Sequence, residues 1–68
     1  MTNNPITTSR VLHYKPRNTN YRMLHHNVKI KSSDGSWELG CVYQDKDSGN
    51  IYTRPYSMFD IGNWEIVK

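Results

Sequence analysis

From Arg10 onward, apolar and polar side chains alternate with a period of two, and no window keeps the i, i+3, i+4, i+7 spacing of an amphipathic helix for more than a turn. The pattern predicts an all-β chain. Arg10 to Tyr14 reads as a short first strand, ended by Lys15-Pro16-Arg17-Asn18-Thr19-Asn20, where proline removes a donor and the asparagines favour turns. Tyr21 to Lys31 reads as a long second strand or a bent pair, with Val28 and Ile30 facing away from Asn27, Lys29 and Lys31. Asp34-Gly35 is the clearest hairpin signal, because it supplies a positive φ between two alternating runs.

On the third strand Trp37, Leu39, Cys41 and Tyr43 share one face, with Trp37 and Tyr43 expected in the core, and Glu38, Gly40, Val42 and Gln44 share the other. A second hairpin at Asp45 to Asn50 leads to a short strand, Ile51 to Arg54, stopped by Pro55. Between Pro55 and Gly62 the spacing fits one 3₁₀ turn that points Met58, Phe59 and Ile61 inward, and Trp64 to Val67 forms the last strand. Five strands with one 3₁₀ turn before the last predict a small SH3-like barrel or a strongly bent antiparallel sheet, a likeness of architecture that says nothing about ligand. Residues 1–9 lack periodicity and read as an N-terminal arm that is mobile unless it docks; residues 10–68 read as one domain.

Composition narrows the class. With 68 residues and eight aromatics, the chain can build only a small core filled largely by rings. No apolar run approaches a membrane span and the start has no export-type pattern, so the expectation is a cytoplasmic protein without a membrane partner. The absence of alanine also argues against helix. Charge is split: residues 1–34 carry a balance of +5 and residues 35–68 a balance of −2. That split fits an anionic partner for the first half, a homodimer with copies head to tail, or basic and acidic strands that neutralise each other within one chain.

The chemistry of sites is mostly negative. Cys41, the only cysteine, reads as a small buried hydrophobe. His25 and His26 are adjacent and would face opposite ways, and His13 stands alone, so neither a metal nor another cofactor is expected. Asp45 to Asn50 has its glycine in the wrong place for a calcium loop, and Tyr56 falls where the bidentate glutamate belongs. No nucleophile elbow, phosphate loop or close carboxylate pair is visible, so no catalysis is expected. The positive signal is interleaving of basic and aromatic residues through Arg10, His13, Tyr14, Lys15, Arg17, Tyr21 and Arg22, with Lys29 and Lys31 beyond, joined across the sheet by Tyr52 and Arg54. Rings stack on bases while guanidinium and ammonium groups meet phosphates, which makes His13, Tyr14, Lys15, Arg22, Tyr52 and Arg54 the candidate binding set for a nucleotide or nucleic acid. The other reading is a regulator that docks on a host or defence protein through its tyrosines or a strand edge.

The segments His13-Tyr14-Lys15, Tyr21-Arg22-Met23-Leu24, Val42-Tyr43-Gln44, Arg54-Pro55-Tyr56-Ser57-Met58-Phe59 and Trp64-Glu65-Ile66-Val67 carry a resemblance over about residues 13–67. Together they resemble a family of short bacterial and phage proteins of unknown function, marked by a His-Tyr-Lys opening, a Val-Tyr strand and an Arg-Pro-x-x-Met-Phe segment. The resemblance implies a small β-rich fold and a phage or prophage origin, and no known chemistry.

Overall fold

In the computed structural model, residues 5–67 are described; residues 1–4 of the expected arm and Lys68 lie outside them. Five strands form one antiparallel sheet: β1 (Val11–Tyr14), β2 (Thr19–Lys31), β3 (Trp37–Asp45), β4 (Ile51–Pro55) and β5 (Trp64–Val67). Their order is β4-β3-β2-β1-β5, so the last strand returns to pair with the first, Tyr14 opposite Trp64 and Leu12 opposite Ile66. β4 and β5 are the two edges. The sheet is therefore open, a bent sheet and not a closed barrel. As the turn residues predict, one 3₁₀ turn, Tyr56–Met58, precedes β5.

The bend originates in β2. Its pairing with β3 slips between Met23 and His25 and again between His25 and Val28, and Asn27 takes a left-handed φ of 58°. Extra residues on one strand of a pair increase local twist and kink that strand. The thirteen-residue β2 thereby serves both halves of the sheet. A histidine holds the kink: the His26 Nε2–H donates to the Ser9 carbonyl at 2.6 Å, and the Tyr56 hydroxyl lies 2.8 Å from Nδ1 while accepting from the Asn27 N–H at 3.0 Å.

Side chains from β1, β2, β3 and β5, with Ile6 before β1 and Phe59 before β5, meet inside the bend. Ile6, Leu12, Tyr21, Cys41, Tyr43, Phe59 and Trp64 are buried together, with Tyr14, Met23 and Tyr56 packed against them. Four of those seven are aromatic, and their rings meet edge-on or tilted, as between Phe59 and Trp64 at 5.1 Å between centroids. Quadrupole attraction favours that geometry over face-to-face stacking.

Packing departs from the alternation at three places. The body reaches back past the expected boundary at Arg10: Pro5–Thr8 form a 3₁₀ turn, Ile6 is 1 % exposed within the core, and Ser9 is buried with its hydroxyl donating to the Ile6 carbonyl. Trp37, expected in the core, is 61 % exposed, and Leu39 is exposed beside it. Alternation correctly puts both on the face of Cys41 and Tyr43, but the β2–β3 hairpin extends beyond the elements that cover that face. Of the residues expected to turn inward after Pro55, only Phe59 is buried; Met58 and Ile61 are exposed, because within the turn it is Tyr56 that packs against the core.

Candidate functional site

The unpaired gap between β4 and β5 is filled by side chains instead of backbone hydrogen bonds. From the β4 side, the Arg54 guanidinium lies over Phe59 at 5.4 Å and over Trp64 at 5.5 Å, and donates to the Met58 carbonyl at 3.4 Å. This seam opens into a cleft of about 180 Å³ lined by Tyr14, Arg17, Tyr21, Tyr43, Tyr52, Arg54 and Trp64. All five strands and the turn after β1 contribute.

Local sequence explains each position. Tyr14 ends β1 and packs on Trp64, its cross-strand partner, at 4.7 Å between ring centroids. The 3₁₀ turn Lys15–Arg17 follows, with Pro16 preset for its first residues, and closes at Asn18, whose left-handed φ of 50° lets its N–H donate to the Lys15 carbonyl. That turn brings Arg17 to the mouth. Tyr21, Tyr43 and Tyr52 stand on neighbouring strands, with Tyr43 opposite Tyr52, and their rings touch at 5.3 Å and 5.7 Å. Tyr21, Tyr43 and Trp64 are buried and make the floor, whereas Tyr14, Tyr52, Arg17 and Arg54 form the rim.

The electrostatics are donor-rich. Burial pushes the Tyr43 phenol above its ordinary value, against the opposing charge and hydrogen bond of Arg54. Tyr21 is raised by burial first, then by the Asp45 carboxylate and Tyr52, with Arg17 opposing. Both phenols are therefore protonated at neutral pH. Cys41, beneath the cleft, is pushed by burial up to about 11 and stays a thiol, its Sγ–H directed at the Arg54 carbonyl. The lining offers phenol and guanidinium donors and no carboxylate. Such a surface suits a planar ligand rich in acceptors and carrying negative charge.

Of the six residues singled out from the sequence, the fold gathers Tyr14, Tyr52 and Arg54 on this cleft. His13 and Arg22 alternate onto the opposite face, where His13 Nδ1 lies 2.8 Å from Asn20 Oδ1 and Arg22 is exposed between Val11 and Gln44. Lys15 is exposed on the turn beside the mouth without lining it. Arg17, Tyr21, Tyr43 and Trp64 complete the site; Tyr21 has the same facing as Leu12, its partner on β1, which was the available signal. Among the described residues, no three His, Cys, Asp or Glu side chains converge on a metal-sized position. Among the described residues, no helix is long and apolar enough to cross a membrane.

Fold and site together define a class: a small open β-sheet domain whose seam carries an aromatic and arginine cleft. No family model, curated protein or solved structure matches the chain.

Proposed function

We propose that this chain is a non-catalytic binding module that takes an anionic, ring-bearing ligand of the nucleotide type in the β4–β5 seam. The observation that carries the reading is the lining, five aromatic rings and two guanidinium groups with no acid among them. A cage of rings alone would equally suit a cation, but two arginines repel one. The volume falls below the roughly 300 Å³ of a typical small-molecule pocket, so the cleft suits a single ring with its phosphate at the arginine rim. A stacked base contributes about 1–3 kcal/mol and a charge-assisted arginine contact fixes the phosphate. The protonated tyrosines and the protonated Cys41 thiol supply neither a general base nor a nucleophile at neutral pH, which supports binding over catalysis.

The test is anisotropy of a labelled oligonucleotide, with nucleoside monophosphates as competitors, over a range of salt. Affinity should fall with rising salt, and Tyr52→Ala should weaken it about 5- to 150-fold. No binding at low salt, or binding without a salt slope, ends the reading.

A second reading rests on the open edge. β4 is unpaired on its outer side and displays Ile51 and Tyr52 to solvent, the arrangement through which a partner protein adds a strand. On that reading the module is a phage-type regulator of a host or defence protein, consistent with the resemblance over residues 13–67. Stoichiometric capture of one bacterial protein, free of nucleic acid and lost when Thr53→Pro removes an amide from the edge strand, would favour it.

A further inference from the structure

We infer that the ligand is a single strand of several nucleotides, which runs from the seam along the sheet to a second platform on the β2–β3 hairpin. This rests on the nucleotide reading of the cleft and adds a surface to it.

Beyond the core the hairpin continues for further rungs, with Lys29 opposite Leu39 and Lys31 opposite Trp37. Directly paired residues share a face, so these four side chains project together. Alternation along β3 makes that face continuous with Cys41 and Tyr43, and along β4 with Tyr52 and Arg54, the residues of the seam. The hairpin's two acids are engaged elsewhere: the Glu38 carboxylate, on the other face, accepts from the Ser32 hydroxyl at 2.9 Å and from the Ser57 hydroxyl at 3.1 Å, and Asp34, in the turn, accepts from the Ser36 N–H at 2.9 Å and its hydroxyl at 2.6 Å. The exposed patch therefore holds two ammonium groups and a large bare indole, with Lys31 Nζ 5.5 Å from the Trp37 ring centre.

A solvated amphipathic strand accounts for the lysines. It does not account for an indole left 61 % exposed on the same face as a cleft lined by rings and arginines. A base stacked on Trp37 with flanking phosphates on Lys29 and Lys31 uses all three groups. From Tyr43 to Trp37 the strand spans six residues, about 20 Å at roughly 3.3 Å each. A mononucleotide cannot bridge that distance. A strand stacked at about 3.4 Å per nucleotide covers it with about six, within the usual site size of small single-strand binders. A duplex offers no free base face to either ring set, so the match is to single-stranded nucleic acid.

The experiment measures anisotropy with labelled oligothymidylates of about two to ten nucleotides on the full chain. Affinity should climb with length and level off near about six nucleotides. Trp37→Ala should weaken the longest oligomer about 5- to 150-fold while leaving competition by thymidine monophosphate unchanged. Replacing Lys29 and Lys31 by Gln should lower the salt slope by about 1.4, from two phosphate contacts at roughly 0.7 each. Trp37 is exposed, so an unchanged thermal melt verifies that the variant is folded. If Trp37→Ala binds every length like the parent while Tyr52→Ala loses affinity, the hairpin platform is refuted and the cleft stands. If neither mononucleotide nor oligomer binds, both fail. Equal affinity for a duplex, or for a glutamate-rich peptide of matching charge, overturns the single-strand assignment.

Discussion

Replacing Ile6 by Ala tests whether the segment before β1 belongs to the folded body. The substitution removes three buried carbons from a side chain that is 1 % exposed. At about 0.8 kcal/mol for each buried carbon, the lost transfer energy is about 2.4 kcal/mol. A residual cavity adds to this, giving the usual 2–5 kcal/mol for such truncations. Two contacts limit collapse around the hole, since the Ser9 carbonyl is held by His26 and the Ser9 hydroxyl donates back to Ile6. For a chain of this length the whole stability is about 3–10 kcal/mol, so the variant should lose about a fifth of it or more. The melting temperature should drop by about 8 °C at the least, from roughly 4–8 °C per kcal/mol in a domain this small. Urea unfolding followed by far-UV circular dichroism should show a lower midpoint with an unchanged slope. A midpoint shift worth less than about 0.5 kcal/mol, the scale of a surface substitution, would refute the packing of Ile6.

Gly40→Ala should destabilise the fold by about 1–3 kcal/mol and weaken ligand binding together, because the new Cβ would overlap the Arg54 carbonyl oxygen and lie 2.5 Å from Ile30 Cδ1, pushing β4 away from β3; urea midpoints and anisotropy check the pair. Cys41 should react with a soluble thiol reagent at pH 8 far more slowly in the native protein than in urea, since burial holds it as a thiol with a value of about 11. Its raised value also means that the associated stability is complete below the ordinary thiol value and disappears as pH rises toward 11, a loss that Cys41→Val should reduce. Asp45 shows the opposite sign: its carboxylate accepts from the Asp47 and Ser48 N–H groups, which lowers its value, so the hairpin is secured above the ordinary aspartate range and loosens as pH falls through the lowered value. Asp45→Asn should flatten that acid limb in a pH series of urea midpoints.

What could be read from the residues was whatever acts locally. Gly35 and Gly49 take positive φ in the two hairpins, and Asn18 closes the turn after β1, so the breaks between strands follow from the turn chemistry. Pro55 ends β4 for the reason that it cannot donate to a ladder. Non-local features had no such signal. The period of two assigned Trp37 to its face, but coverage of that face depends on where Phe59 and Trp64 fall in space. Ile6 lies in a 3₁₀ turn too short to show periodicity, and the β2 slips near Asn27 become visible only against the partner strand. The site divides in the same way. Tyr14, Tyr52 and Arg54 stand out as basic and aromatic neighbours, whereas His13 and Arg22 share that composition and face away, because a one-residue step along a strand reverses the side chain.

Arg54 is where stability and binding intersect, and it allows them to be separated. Its guanidinium stacks on both Phe59 and Trp64, tying β4 to β5 across a gap that no backbone ladder closes, while the same group lines the cleft. Truncation to alanine would lose seam and ligand contact at once. Arg54→Lys keeps the charge but loses the planar group that covers two rings. Two such contacts are worth about 1–2 kcal/mol together, so this variant should melt about 4–16 °C lower and bind less tightly. Arg17 sits exposed at the mouth and is engaged in no comparable stack, so Arg17→Lys should reduce affinity with the melting temperature unchanged. If Arg54→Lys melts like the parent, the seam is not held by that guanidinium, and β4 is tied to β5 instead through the rings that run from Tyr52 by way of Tyr43 to Trp64.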